Sequence, residues 1–142
     1  MDIRKFLVGG SAPSYLPADI GWTITRVVVG LSMALQHGLG KVPPSDRFIG
    51  GVANLGFPAP EFFAWAAGLS ELVGGLLLAA GLLTRPAALM LAATMAVACF
   101  GRHGADPFSD KEMSLLYLVI SGAFVLAGSG RFSVDRLIHA RD

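Results

Sequence analysis

A lone carboxylate, Glu71, stands inside the apolar run Phe62–Leu83, FFAWAAGLSELVGGLLLAAGLL, which holds no other charge. About 20 such residues are what a helix needs to cross the hydrocarbon of a bilayer. A carboxylate at that depth costs about 2.5–3.5 kcal/mol unless it is protonated, paired or reached by water. The run therefore predicts a membrane-spanning helix together with a polar partner or a polar cavity for Glu71. Composition agrees: 54% of the 142 residues are hydrophobic and 15% charged, where soluble domains carry about 25% charge.

Four apolar segments are delimited, at about 20–39, 60–83, 86–101 and 111–127. They predict one all-α domain over residues 1–142, an integral membrane four-helix transmembrane bundle. The third span is short and borrows Thr84, Arg85 and Gly101, with Arg85 and Arg102 placed to snorkel. Pro60 and Pro86 suit helix starts. Ser109 and Glu112 have capping-box spacing, and Gly128 and Gly130 suit a helix end. Between the first two spans, Phe48, Ile49, Val52 and Leu55 recur at helical spacing, which predicts a short helix on the outer membrane surface. Before Pro17 there is only a short Phe-Leu-Val patch, too little for a signal peptide, so the first span is expected to be retained as the insertion signal.

Charge sets the orientation. Arg4, Lys5, Arg85, Arg131, Arg136 and Arg141 gather on the side of the termini, against Lys41, Arg47, Arg102 and Lys111 on the other. The excess favours both termini in the cytoplasm. Net charge is +1, with no basic stripe, which disfavours nucleic acid as a partner. Cys99 is the only cysteine, so the chain cannot run dithiol chemistry alone.

On a helix, Glu71 neighbours Ala64, Ala67, Gly68, Gly74, Gly75 and Leu78, a face of small residues that turns it into the bundle. Arg26 is its best partner in sequence; it shares a face with Trp22, Gly30, Met33 and His37. By helical rise Arg26 lies roughly 10 Å from the inner end and Glu71 roughly 18 Å, an offset an arginine can bridge. Two readings stand side by side. One is a buried ion pair that fixes helix register. The other is a polar pocket in which Arg26 or His37 donates to a carbonyl and Glu71 exchanges a proton.

His37 and Lys41 belong to an outer cluster with Arg102, His103, Asp106, Asp110 and Glu112, most of which reads as solvated loop charge. His37 closes an apolar helix and is a further ligand or relay candidate. Metal and haem are disfavoured, because His37 and His103 sit at one rim and His139 at the other. No metal site is expected. Trp22, Trp65, Phe57 and Tyr117 fit belt or core positions.

Taken in order, Arg26 and Gly30, His37-Gly38-Leu39-Gly40-Lys41, Gly56-Phe57-Pro58-Ala59-Pro60, Glu71, Gly81-Leu82-Leu83-Thr84-Arg85, Glu112 and Gly130-Arg131-Phe132-Ser133-Val134-Asp135 resemble the DoxX family of small four-helix membrane proteins. The resemblance covers nearly the whole chain. It implies a bacterial cytoplasmic-membrane protein, a subunit of or accessory to a quinone-linked oxidoreductase system. It carries polar positions over to Arg26, His37, Lys41, Glu71, Arg85 and Glu112. Arg26, His37, Lys41 and Glu71 are the candidates for a quinone or polar-lipid pocket, and no other cofactor is evident. Electrons would come from a partner protein. The competing class is a non-enzymatic membrane adaptor or assembly factor, and a homo-oligomer through Gly-rich faces is compatible with either. A proton-coupled transporter is less favoured, since no inverted repeat is visible.

Overall fold

A computed structural model describes residues 15–140. The short apolar patch before Pro17, together with Arg4, Lys5 and Arg141, lies wholly or mostly outside them. Among the described residues the chain is all-helical, without strands. The elements are α1 (Leu16–Lys41), α2 (Asp46–Asn54), α3 (Pro60–Ala80), α4 (Thr84–Arg102), α5 (Phe108–Ala127) and α6 (Val134–His139).

The surface carries far more apolar side chains than a soluble protein's, while several polar and charged groups are buried. Ile24, Val28, Leu31, Leu35 and Leu39 form an exposed apolar stripe along α1, and Leu116, Val119 and Leu126 do the same on α5. Meanwhile Arg26, Glu71, Thr84, Ser121 and Asp135 are buried. Water would penalise that exposed surface, whereas lipid tails do not. Helices α1, α3 and α4 are each long and apolar enough to cross a membrane. Helix α5 has 20 residues and carries Asp110, Lys111 and Glu112 in its first turns.

The four long helices share one core: Val29 and Met33 from α1, Leu78 from α3, Ala88, Leu91 and Met95 from α4, and Phe124 from α5. Trp22 stacks on Phe124 with ring centroids 4.3 Å apart, which closes α1 onto α5. The seam between α1 and α3 is backbone on backbone. A Cβ on Gly30 would meet the Gly75 carbonyl at 2.5 Å and the Ala79 nitrogen at 2.6 Å. Lower down, a Cβ on Gly68 would meet the Lys41 carbonyl at 2.8 Å. Such approach is how helices gain dispersion energy in lipid, where burying apolar surface gains nothing.

That seam alters two expectations. Because α1 ends against Gly68, its last residue sits about 12 Å along α3 from Pro60 rather than at the outer mouth. The following segment does form a helix, with Ser45 accepting from the Phe48 N–H at 3.3 Å. It packs against the first half of α3, however, instead of only lying on the membrane surface. The expected capping box is absent as well. Helix α5 starts at Phe108 after Pro107, and the Ser109 hydroxyl points to Asp110 Oδ1 at 3.2 Å. Pro60 opens α3 as expected, Pro86 falls in the first turn of α4, and Gly128 caps α5.

Candidate functional site

Glu71 is paired with Lys41, not Arg26. The Lys41 ammonium donates to both carboxylate oxygens, at 2.7 and 2.6 Å. The pair follows from the glycine seam: Gly38 lets α1 touch the backbone at Leu72, and Gly68 seats the Lys41 carbonyl. A residue expected in a solvated rim thereby reaches a buried carboxylate. The Glu71 side chain is 2% exposed and that of Lys41 32%. Lys41 also sits 5.4 Å from the centroid of the Phe48 ring on α2, a cation–π contact.

Glu71 lies in a stretch of wide, π-helical turn, Ser70–Gly74. Similar stretches occur in α1 at Met33–Gly38 and in α4 at Val97–Arg102. Such turns bulge a helix by one residue and recur at functional sites. All three sit toward the end of the molecule that holds the Lys41–Glu71 pair. Nothing in the sequence marked them.

Beside the pair is a pocket of about 740 Å³ between α3, α4 and α2. Its walls are mostly apolar: Phe48 and Val52 of α2 and Leu55 just after it, Phe57 and Phe63, and Met90, Ala93 and Val97 of α4. Glu71, Lys41, Ser70 and Thr94 supply the polar atoms at depth. The Thr94 hydroxyl is 3.1 Å from that of Ser70 and 3.0 Å from the Met90 carbonyl. At the rim are Arg47, Arg102 and His103. His103 Nδ1 is 2.8 Å from Asp106 Oδ2, so Nε2 is the ring nitrogen left for other contacts. Met90 is 48% and Val97 39% exposed, so the pocket opens sideways between α3 and α4, onto the lipid-facing surface.

Arg26 and His37 are not in this pocket. Arg26 belongs to a knot at the other end of the bundle, donating to the Leu78 carbonyl at 3.3 Å and the Phe132 carbonyl at 2.7 Å. A Cβ on Gly81 would collide with its guanidinium, and the φ of 70° there suits glycine. Asp135 completes the knot by accepting from the Leu83 N–H at 2.8 Å and the Thr84 N–H at 3.0 Å. It thereby caps α4 and holds Leu83 at a φ of 48°, a left-handed conformation that costs a non-glycine residue. The segments Gly81–Arg85 and Gly130–Asp135 are therefore two halves of one clasp. His37 is half-buried and meets Tyr117 edge to face, centroids 5.7 Å apart. Arg85 donates to the Leu126 carbonyl at 3.2 Å, and Glu112 is exposed near the start of α5.

Of the four pocket candidates, the structure brings together Lys41 and Glu71 and separates Arg26 and His37 from them. It adds Ser70, Thr94, Arg47, Phe48 and His103, which sequence reasoning missed or left as rim and core. Position Phe48 was visible as part of an amphipathic pattern. Ser70 and Thr94 carried no signal, because small hydroxyls in spanning helices usually bond their own backbone.

The sequence profile of the DoxX family matches residues 21–104, from the first turns of α1 to just past the end of α4. The chain belongs to the DoxX family. Among relatives, this DoxX protein is 30% identical over 121 residues to a Bacillus subtilis protein described as "Putative oxidoreductase CatD", covering 84% of this chain and 88% of that one. It is 36% identical over 118 residues to an uncharacterized Haemophilus influenzae protein, with 78% and 84% covered. It is 29% identical over 132 residues to "Inner membrane protein YqjF" of Escherichia coli, with 87% and 95% covered. No solved structure matches it significantly.

Proposed function

We propose that this DoxX protein is a component of a quinone-linked redox system in the bacterial inner membrane, and that its pocket receives a quinone or a similar lipophilic carbonyl ring. In this reading α5 is a fourth crossing, both termini are cytoplasmic, and the pocket lies toward the outer leaflet. The single observation that carries the proposal is the lateral opening: an apolar cavity of about 740 Å³ with a buried ion pair in its wall. Its size lies within the range of small-molecule sites, about 300–1,000 Å³. A ligand dissolved in the bilayer enters it without crossing water.

The donor set fits a carbonyl. Lys41 has three N–H donors, and Glu71 takes two of them. The third is left for an acceptor in the pocket, and Ser70 offers a hydroxyl on the same wall. Glu71 holds the ammonium in place and is itself a proton-exchanging group at the pocket wall. A bound quinone supplies two-electron, two-proton chemistry, with the electrons delivered by a partner protein. The descriptions of the Bacillus and Escherichia relatives, "Putative oxidoreductase CatD" and "Inner membrane protein YqjF", support the same direction.

Calorimetric titration of the purified protein with decylubiquinone tests this. Lys41→Met should weaken binding by about tenfold or more, the worth of a charged hydrogen bond. Ala93→Phe, which fills the pocket wall without touching the ion pair, should abolish it. Affinity unchanged by both substitutions would sink the proposal.

A further inference from the structure

A second cavity, of about 580 Å³, lies against α2 and is lined by Arg47, Gly50, Gly51, Asn54, Leu55 and Arg102. No carboxylate lines it. We propose that Arg47 and Arg102 form a phosphate site that holds the headgroup of an anionic phospholipid. The site shares Arg47, Gly51, Leu55 and Arg102 with the rim of the larger pocket but requires no quinone there.

Three observations carry it. First, α2 and the end of α4 bring two guanidinium groups to one cavity, and neither has a hydrogen bond, ion pair or ring contact among the described residues. The other described cations on this side are engaged: Lys41 with Glu71, and Lys111 with the Gly104 carbonyl at 2.9 Å. Asp106 is taken by His103, and Asp46, next to Arg47 in the chain, does not line the cavity. Two like charges held at one cavity lack a counter-charge that an anion would supply.

Second, local helix electrostatics do not explain Arg47. Arg102 ends α4, where a cation is favoured by the helix dipole. Arg47 is in the first turn of α2, where the dipole disfavours a cation. Helix stability therefore gives no reason for an arginine at that position.

Third, the cavity has the chemistry and the depth for a lipid phosphate. Guanidinium forks match phosphate oxygens in pairs, and Asn54 adds an amide donor. A Cβ on Gly50 or Gly51 would meet nothing within 4 Å, so the surface of α2 is open there. The site lies where α4 ends and α2 packs on the first half of α3, at the level where a spanning helix meets the headgroups. On the same helix as Arg102, about one and a half turns earlier, Val97 is exposed to lipid and offers a path for the acyl chains.

The test is lipid retention, measured by native mass spectrometry on the full chain released from neutral detergent. The probes are dioleoyl phosphatidylglycerol, dioleoyl phosphatidylcholine and inorganic phosphate. At about tenfold per one to two interfacial arginines, the wild type should prefer the glycerol lipid by about tenfold or more. Arg47→Gln/Arg102→Gln should bring the two lipids to near parity with an unchanged thermal midpoint. Arg47→Lys/Arg102→Lys, which keeps charge and loses the forks, should retain part of the preference and guards against misfolding of the first variant. Equal retention of both lipids by the wild type overturns the proposal, as does a preference that survives the double Gln substitution. Displacement of the lipid by millimolar phosphate overturns the lipid as the source of the anion. No quinone enters the assay, so its failure leaves the quinone reading standing.

Discussion

Removing the ammonium from the Lys41–Glu71 pair should destabilise the protein far more than removing the carboxylate. The Glu71 side chain is 2% exposed and the Lys41 side chain 32%. In Lys41→Met the stem volume is kept, but a carboxylate that is only 2% exposed is left beside α1 without its counter-charge. Breaking a buried pair in this way costs about 3–5 kcal/mol. In Glu71→Gln the stranded group is instead Lys41, whose flexible stem can carry its head toward the interface. The amide also still accepts a hydrogen bond, so the loss should be about 1 kcal/mol. Lys41→Met/Glu71→Gln removes both charges and should lie close to Glu71→Gln alone, since no charge is then left unpaired. The double-mutant coupling energy is then at least about 2 kcal/mol.

Equilibrium unfolding in mixed micelles, driven by added dodecyl sulfate and followed by the fluorescence of Trp22 and Trp65, measures all four proteins. The order expected is Lys41→Met well below Glu71→Gln, with the double variant above Lys41→Met. If Glu71→Gln is as damaging as Lys41→Met, the asymmetry of burial does not govern the pair. If the double variant loses the sum of the single losses, the two residues are not energetically a pair at all.

Other substitutions probe the rest of the frame. Gly30→Val places a Cβ against backbone atoms of Gly75 and Ala79 that cannot swing away, and should cost about 3 kcal/mol. Gly21→Val, with nothing within 4 Å, should behave as wild type in the same unfolding assay. Asp135→Ala strands the Leu83 and Thr84 N–H groups, so it should lower stability by about 1–2 kcal/mol and speed limited proteolysis of the tail. Arg26→Met should loosen the same clasp by about 2–3 kcal/mol while decylubiquinone affinity stays within about twofold, because Arg26 does not line the pocket.

Much of the frame was legible in the sequence because a bilayer leaves few choices. Apolar length located the helices α1, α3 and α4, and the small residues around Glu71 located the face it buries. What could not be read was depth. Assigning Lys41 to the rim assumed that α1 runs as far as α3 does. In fact α1 stops against Gly68, and only the three-dimensional seam shows that. Arg26 looked like the natural partner because it is the other charge within a span. Its actual partners are carbonyls of Leu78 and Phe132. Carbonyl acceptors have no sequence signature, since every residue carries one. The family-like segments Gly81–Arg85 and Gly130–Asp135 were visible as motifs, but a motif does not say that its two halves bind each other. The wide turns in α1, α3 and α4 left no trace in composition or periodicity.

The division of labour around α3 explains how a small membrane protein tolerates a cavity beside the buried Lys41–Glu71 pair. Helices in lipid gain nothing from burying apolar surface against each other, so stability must come from close backbone packing and polar bonds. Here those reside on the α1 side of α3, in the Gly30–Gly75 seam, midway along it in the Lys41–Glu71 pair, and at its C-terminal end in the Arg26–Asp135 clasp. The α4 side toward Pro60 is relieved of that task. There the space is left to Phe48 and Val52 of the short α2, to Leu55 at its end, and to the pocket itself. It follows that the pocket wall and the seam should respond oppositely to substitution. Val97→Ala and Ala93→Val should move ligand affinity and leave unfolding within about 0.5 kcal/mol, as peripheral changes usually do. Gly75→Val should unfold the protein whether or not a ligand is bound. A pocket-wall series that tracked stability instead would mean that the cavity side, and not the glycine seam, holds the helices together.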